Sequence, residues 1–216
     1  MNTTASPGRT STGPASEKDL TTLLAATTDE PGTLGRLRRR LEAVAAREGL
    51  LDIAYTTIDT PVGALLLAAT ERGLVRVAYD IEDHDKVLEI LATRISPRIL
   101  RAPQRLSVAV REIEEYFAGN RRGFDLSLDF ALSSGFRQVV QRHLSDIAYG
   151  HTESYKDVAE IVGNPRAVRA VGTACATNPL PVVVPCHRVL RTDGTLGGYV
   201  GGAEAKAILL NLERAA

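Results

Sequence analysis

Residues 155–177 read YKDVAEIVGNPRAVRAVGTACAT, in which two short helical patterns flank a tight turn. The pattern predicts a first helix over 155–162 and a second over 165–177. Asn164 suits the N-cap of the second helix, and Pro165 suits its first position because a helix start leaves that N–H unused. This arrangement is a helix-turn-helix signature.

The second helix is predicted to have two different faces. Val168, Val171 and Cys175 share an inner face, where a free cysteine behaves as a small hydrophobe. Small side chains on the outer face would let the helix backbone approach DNA, and Arg169 rises from the middle of that face. Taken alone, such a hairpin is more often structural than DNA-binding. The predicted outer face consists of Arg166, Arg169, Ala170, Thr173 and Ala176.

Residues 178–189 read NPLPVVVPCHRV and place a Cys-His pair at the end of a proline-bounded apolar segment, which we interpret as a strand. Cysteine attacks as the thiolate, and its ordinary pKa of about 8.5 leaves little thiolate at neutral pH, so a nearby base matters. Adjacent side chains on a strand point to opposite faces. His187 is therefore expected to act on Cys186 through a water or a bent backbone. A Cys-His dipeptide alone would more often be structural.

Two longer motifs make the segment specific. PCHRV at 185–189 followed by GGYVGG at 197–202 resembles the O6-alkylguanine-DNA alkyltransferase family. GNPRAVRAVG at 163–172 and the Asn178-Pro179 pair resemble the DNA-binding hairpin and hinge of that family. The resemblance is strong from about Tyr116 to Glu213, looser over residues 51–115 and absent before about residue 31.

The resemblance implies DNA repair by direct damage reversal. The alkyl group of O6-alkylguanine would pass irreversibly to Cys186 after base flipping, once per molecule, and acceptance of O4-alkylthymine stays open. It further implies that His187 is a water-mediated base and that Glu213 orients His187. A carboxylate on one ring nitrogen leaves the other free to receive the thiol proton, as in hydrolase triads.

The same resemblance assigns the remaining site residues. Tyr155 would donate to the flipped guanine, Asn178 would brace the hinge, and Arg169 would enter the duplex through the minor groove to fill the gap. Arg166, Ala170 and Thr173 would contact DNA beside it. The substrate pocket would consist of Val189, Tyr199, Val200 and Gly201.

The fold expected from the whole chain is α+β. Residues 51–131 are predicted to form a small sheet with helices, which the resemblance implies is ribonuclease-H-like. Residues 132–216 are predicted to form a mainly helical domain, winged-helix-like, with the helix-turn-helix and the cysteine. The patterns predict strands from residue 51 and over 64–69, 74–79 and 124–128, and helices over 84–93, 103–118 and 133–146.

The N-terminal end is predicted to be simpler. Residues 1–30 are expected to be a disordered tail, since their Ser, Thr, Gly and Pro content leaves little apolar surface to bury. Residues 31–50 are expected to form an amphipathic helical extension. Its arginines suggest nucleic-acid binding, but a solvated face is the favoured interpretation because Glu42 and Glu48 dilute the charge.

Composition narrows the class of protein. The chain has 26 basic and 26 acidic residues, so its net charge indicates no particular partner. No apolar run approaches the roughly 20 residues that span a bilayer, and no secretory signal is evident, which predicts a cytoplasmic protein with reduced thiols and no membrane contact. The N-terminal domain has no cysteine and only His84, which predicts no metal, and no cofactor is expected.

The leading prediction is a monomeric transferase that acts on double-stranded DNA containing O6-alkylguanine. A lesion sensor that binds alkylated DNA without transfer is the alternative, but members of that kind lack the acceptor cysteine. A cysteine hydrolase or a thiol redox protein would need an oxyanion-hole glycine or a second nearby thiol, and neither pattern is evident.

Overall fold

A computed structural model describes residues 49–214, together with positions 35–37, 40 and 44. These five early positions are all helical, within the predicted extension, and Leu37 and Val44 are exposed. The predicted tail over 1–30 lies outside the described residues, as does most of the extension.

The N-terminal half contains a four-stranded sheet of order β3-β2-β1-β4. The first three strands form an antiparallel meander, and β4 lies parallel to β1. The strands are β1 Ile53–Thr60, β2 Gly63–Thr70, β3 Gly73–Tyr79 and β4 Ile99–Arg101.

Strand β2 is apolar on both faces, and its successive residues alternate between two cores, as the period of a strand requires. Leu65 and Leu67 join the larger core, whereas Leu66 and Ala68 join the smaller one, which the first helix covers. The helices of this half are α1 His84–Arg94 and α2 Ser107–Phe117, and a 3-10 turn, Pro103–Leu106, precedes α2.

The strands of this half differ from the prediction in two places. The short strand β4 was not predicted. The predicted strand over 124–128 makes a single parallel bridge, between Leu74 and Leu128. Both backbone groups of Leu74 form this bridge: its N–H donates to the Ser127 carbonyl, and its carbonyl accepts from the Asp129 N–H. Gly73 permits this approach, since a Cβ there would lie 2.1 Å from the Ser127 oxygen.

The C-terminal half is mainly helical, as predicted. A small parallel pair of strands joins the start of the helical hairpin to the segment after Cys186. The elements are α3 Gly135–Leu144, β5 Glu153–Ser154, α4 Tyr155–Ile161, α5 Val168–Ala176, β6 Val189–Leu190 and α6 Gly202–Arg214.

The start of α5 differs from the prediction. The helix begins at Val168, and no side chain caps it. Residues 164–167 form a separate turn instead, in which the Ala167 N–H donates to the Asn164 carbonyl. The inner face is correspondingly shifted, because Val168 is exposed whereas Val171, Ala174 and Cys175 are buried.

The buried face of α3 does not simply follow its apolar residues. Val139 is half exposed, whereas Val140, Gln141 and Leu144 are buried. The buried Gln141 donates through Nε2 to the Ala174 carbonyl on α5 at 3.0 Å, a contact between helices that a sequence period cannot indicate.

The larger core contains residues from both halves of the chain. Residues 49–214 accordingly pack as one compact unit, and the domain boundary at residues 131 and 132 stays a prediction. None of the described helices is long and apolar enough to cross a membrane.

Candidate active site

The segment before Cys186 is a buried turn rather than the predicted strand, with Val182 at a positive φ of 72°. Cys186–Arg188 then forms one 3-10 turn that leads into β6. Because a 3-10 helix has about three residues per turn, neighbouring side chains diverge by about 120° rather than pointing to opposite faces. The bent backbone considered as one alternative is therefore present.

The Cys186 thiol is buried and accepts a hydrogen bond. Asn178 donates through Nδ2 to Sγ at 3.2 Å and to the Val184 carbonyl at 2.8 Å, while its Oδ1 accepts from the Leu180 N–H at 3.0 Å. Both ends of the amide are thus fixed. Burial raises the pKa of Cys186 to about 11, an increase that the Asn178 hydrogen bond and the Lys206 charge oppose.

His187 is fully buried and forms a hydrogen bond to a carboxylate. Its Nε2 lies 2.9 Å from Glu213 Oε1. Burial by itself would raise the pKa of Glu213, but hydrogen bonds from His187 and Arg188 hold it well below its ordinary value. An ionised carboxylate only accepts, so Nε2 carries the proton and Nδ1 has the free lone pair. Nδ1 is buried and has no hydrogen-bond partner among the described residues.

Glu213 lies near the end of α6 and gathers donors from distant parts of the chain. Arg188 donates through Nε to Oε2 at 2.9 Å and through Nη2 to Oε1 at 2.8 Å. Tyr116 donates from α2 at 2.7 Å, and the Gly150 N–H donates at 3.2 Å. The carboxylate is therefore held on several sides, which fixes the ring of His187 in turn.

Tyr155 begins α4, where a capping box between Ser154 and Asp157 holds the helix start. Its ring packs against Gly197, because a Cβ there would lie 2.2 Å from the Tyr155 hydroxyl. Burial raises the pKa of Tyr155 to about 12, so the hydroxyl is a neutral donor at physiological pH.

The outer face of α5 is exposed as predicted. Thr173 Oγ1 is tied to the Arg169 carbonyl at 3.1 Å, so the threonine side chain lies along the helix. On the opposite face Cys175 is buried, which raises the pKa of its thiol, as suits a structural cysteine. The exposed residues of the helix include Arg169, Ala170, Thr173 and Ala176, and Arg166 is exposed in the turn before it.

Three of the four predicted pocket residues lie on the loop before α6, and the fourth, Val189, lies in β6. Tyr199, Val200 and Gly201 are half-buried on this loop. The Tyr199 ring stands edge-on to the His187 ring, with centroids 6.3 Å apart. Val189 is buried, and its carbonyl accepts a hydrogen bond from Lys206 Nζ at 2.6 Å.

Comparisons with known proteins match the two halves separately. Residues 53–130 match the family model described as 6-O-methylguanine DNA methyltransferase, ribonuclease-like domain, and residues 135–215 match the DNA binding domain of the same name. The chain belongs to the 6-O-methylguanine DNA methyltransferase family. The α+β fold predicted from the sequence is thereby confirmed.

Relatives in this family are similar over most of their length. The methylated-DNA--protein-cysteine methyltransferase of Methanosarcina barkeri is 40% identical over 74% of this chain and 96% of its own. The constitutive enzyme of that name from Bacillus subtilis is 41% identical over 74% of this chain and 94% of its own. The crystal structure of Mycobacterium tuberculosis OGT in complex with DNA has a TM-score of 0.66 and 38% identity, over 75% of this chain and 93% of that one.

Lys206 and Tyr116, which contact residues of this site, were not predicted from the sequence. Lys206 is fully buried on α6, two helical turns before Glu213 on the same face. A charged residue within the apolar stripe of a helix was the available signal. Tyr116 had no such signal, because a contact between α2 and α6 depends on the tertiary fold.

The structure also bears on histidine and on metal. His143 on α3 has a partner that no sequence pattern indicates, since its Nε2 lies 2.7 Å from Glu153 Oε2. Among the residues described, no three His, Cys, Asp or Glu side chains are grouped closely enough to hold a metal ion. That no metal is bound stays a prediction.

Proposed function

We propose that this protein repairs DNA by moving the alkyl group of O6-alkylguanine to Sγ of its own Cys186. The main observation behind this proposal is a buried thiol that accepts a hydrogen bond from Asn178. The next residue is a histidine whose Nε2 is held by Glu213. This is the arrangement that nucleophilic catalysis by cysteine requires, namely a nucleophile, a base and a group that orients the base.

The first step is loss of the thiol proton. Nδ1 of His187 is the ring nitrogen with a lone pair, and it receives the Cys186 proton through an intervening water. The resulting imidazolium is stabilised by Glu213. The thiolate is stabilised by the Asn178 N–H and by the buried charge of Lys206.

The second step is displacement at the alkyl carbon. A bond forms between Cys186 Sγ and this carbon as the bond from the carbon to guanine O6 breaks, and the bonding pair stays on guanine. The neutral Tyr155 hydroxyl donates to the departing base, which then takes up a proton. The net change replaces the thiol hydrogen with the alkyl group and restores guanine. A thioether does not revert, so each molecule acts once.

The DNA-facing surface is the outer face of α5. Its small residues allow the helix to approach the duplex, and Arg169 occupies the space left by the flipped nucleotide. Arg166, Ala170 and Thr173 contact DNA beside it, while Val189, Tyr199, Val200 and Gly201 surround the base. We place the protein in the cytoplasm as a monomer, with double-stranded DNA as its partner.

Intact-mass measurement tests this proposal. After incubation with duplex DNA that carries one O6-methylguanine, the protein should gain one methyl group in place of a hydrogen. Peptide mapping should place the methyl group on Cys186. The Cys175→Ala variant is the matched control and should gain the same mass, whereas Cys186→Ala should gain none while it keeps most of its DNA affinity.

The alternatives give different results in the same experiment. A lesion sensor would bind the alkylated duplex and leave both the protein mass and the lesion unchanged. A hydrolase would remove the lesion repeatedly with no permanent mass change. Either outcome, or methylation of Cys186→Ala, would overturn the proposal.

A further inference from the structure

Tyr79 is the last residue of β3, in the N-terminal half. It reaches the loop before α6 that carries Tyr199, Val200 and Gly201, called here the pocket loop. Its side chain is buried, and its hydroxyl lies 3.0 Å from the Tyr199 hydroxyl. The two rings meet edge to face, with centroids 5.8 Å apart. Such pairs are attractive beyond the area that they bury.

Tyr199 therefore packs against two other rings, those of His187 and Tyr79. The His187 ring is nearly perpendicular to it at 87°, and the Tyr79 ring is inclined to it at 74°. The Tyr79 ring also fills the space next to Gly201, where a Cβ would fall 2.6 Å from Tyr79 Cζ. The pocket loop is thus backed by a tyrosine from another part of the fold.

The position of Tyr79 is itself fixed to the segment that carries Cys186. The Val77 N–H and Arg76 Nη1 both donate to the Pro179 carbonyl, at 2.8 and 3.1 Å. The Tyr79 N–H donates to Glu82, which also pairs with Arg76. These hydrogen bonds join the end of β3 directly to the hinge before the cysteine.

We propose that Tyr79 is a positioning residue that limits the size of the transferred group by holding Tyr199 and the loop at Gly201 in place. The proposal rests on the function proposed above. With its hydroxyl paired and its ring against Gly201, Tyr79 prevents the pocket wall from retreating before a bulky substituent. The pocket consequently favours small alkyl groups over aromatic ones.

The chemistry of the pair supports a persistent contact. Burial, together with the nearby charge of Cys186, raises the pKa of both Tyr79 and Tyr199 above the ordinary value. Both hydroxyls therefore stay protonated over the physiological range, and the hydrogen bond between them persists as the thiol ionises.

The test compares two substrates in the same duplex, O6-methylguanine and O6-benzylguanine, by single-turnover rates at saturating protein. Tyr79→Leu removes the hydroxyl and opens space behind Gly201. It should raise the ratio of the benzyl rate to the methyl rate about tenfold, the usual effect of one hydrocarbon group on pocket discrimination. Tyr79→Phe keeps the ring and should raise the ratio less.

Tyr55→Leu provides a matched control. Tyr55 is a half-buried tyrosine on β1 that packs against the smaller core, away from the pocket loop. This variant should leave the ratio unchanged. A general loss of stability would slow both substrates alike and lower the melting temperature without moving the ratio, so an unchanged ratio in Tyr79→Leu would refute the role of Tyr79.

A double-mutant cycle tests the hydroxyl pair separately. Tyr79→Phe and Tyr199→Phe each break the same hydrogen bond, so combining them should shift the ratio no further than either change alone. Fully additive shifts would show that the two hydroxyls act independently and would overturn the anchoring argument. Wild-type protein is assayed alongside. If it gains no methyl group, the proposed function is wrong. If it transfers the methyl group normally but Tyr79→Leu leaves the ratio unchanged, only the inference about Tyr79 is refuted.

Discussion

Replacing Glu213 by Gln should damage both stability and transfer, and by different mechanisms. Glu213 and Arg188 are both buried and form a doubly hydrogen-bonded ion pair. Gln offers one oxygen in place of two and presents an N–H₂ group to donors that need an acceptor. The Arg188 charge would then remain buried without a counter-ion.

The magnitudes follow from the contacts. Removing one partner of a buried ion pair costs about 3–5 kcal/mol of unfolding free energy. Tyr116→Phe removes one hydrogen bond to the same carboxylate and leaves the ion pair intact, so it should cost about 1.5–3 kcal/mol. The transfer rate of Glu213→Gln should fall about 10²–10⁴-fold, because His187 loses the partner that fixes its tautomer.

The assay combines urea unfolding with single-turnover transfer from an O6-methylguanine duplex. Tyr116→Phe serves as the folded comparison if Glu213→Gln is too unstable to purify, and it should slow transfer less. An unfolding free energy within about 1 kcal/mol of wild type, with an unchanged transfer rate, would contradict the reasoning, since that is the scale of an exposed pair.

Three other predictions follow from the same site. Arg169→Ala should slow repair of duplex DNA far more than reaction with free O6-benzylguanine, since a free base needs no flipping; equal slowing on both substrates would assign Arg169 to the fold or the active site instead. Lys206→Met should raise the pKa of Cys186 and shift the pH–rate profile to the alkaline side, and an unshifted profile would remove Lys206 from the mechanism. Finally, the free energy of unfolding measured with urea should fall as the pH drops below about 6.5, because burial lowers the pKa of His187 and only the unfolded histidine gains a proton there. It should fall further below about 4.3, where glutamate in the unfolded chain protonates before Glu213 does. In both windows the unfolded chain binds more protons than the folded one, so a flat stability profile would be inconsistent with the burial of these groups.

Local sequence was a good guide wherever the decisive interactions are local. The β1–β2 turn, the bounds of α1 and the first helix of the hairpin follow from turn residues and apolar periods that act over a few positions. The start of α5 was less predictable, because Asn164 and Pro165 are equally suitable for the free-standing turn that precedes the helix.

The sequence alone also determined the family, since the spacing of PCHRV and GGYVGG is a property of the chain. It placed Cys186 beside His187, but whether the two could act together depended on backbone geometry. Only the tertiary structure bent Cys186–Arg188 into a 3-10 turn and brought Asn178 onto the thiol.

The tertiary structure likewise decided which distant residues support the site. Tyr116 and Tyr79 reach it from α2 and β3, and Lys206 reaches Val189 from α6. Such contacts carry no local pattern, because a tyrosine in an apolar strand or helix satisfies the same period whether it faces a core or a pocket. The packing of the sheet against the C-terminal helices selects between these outcomes.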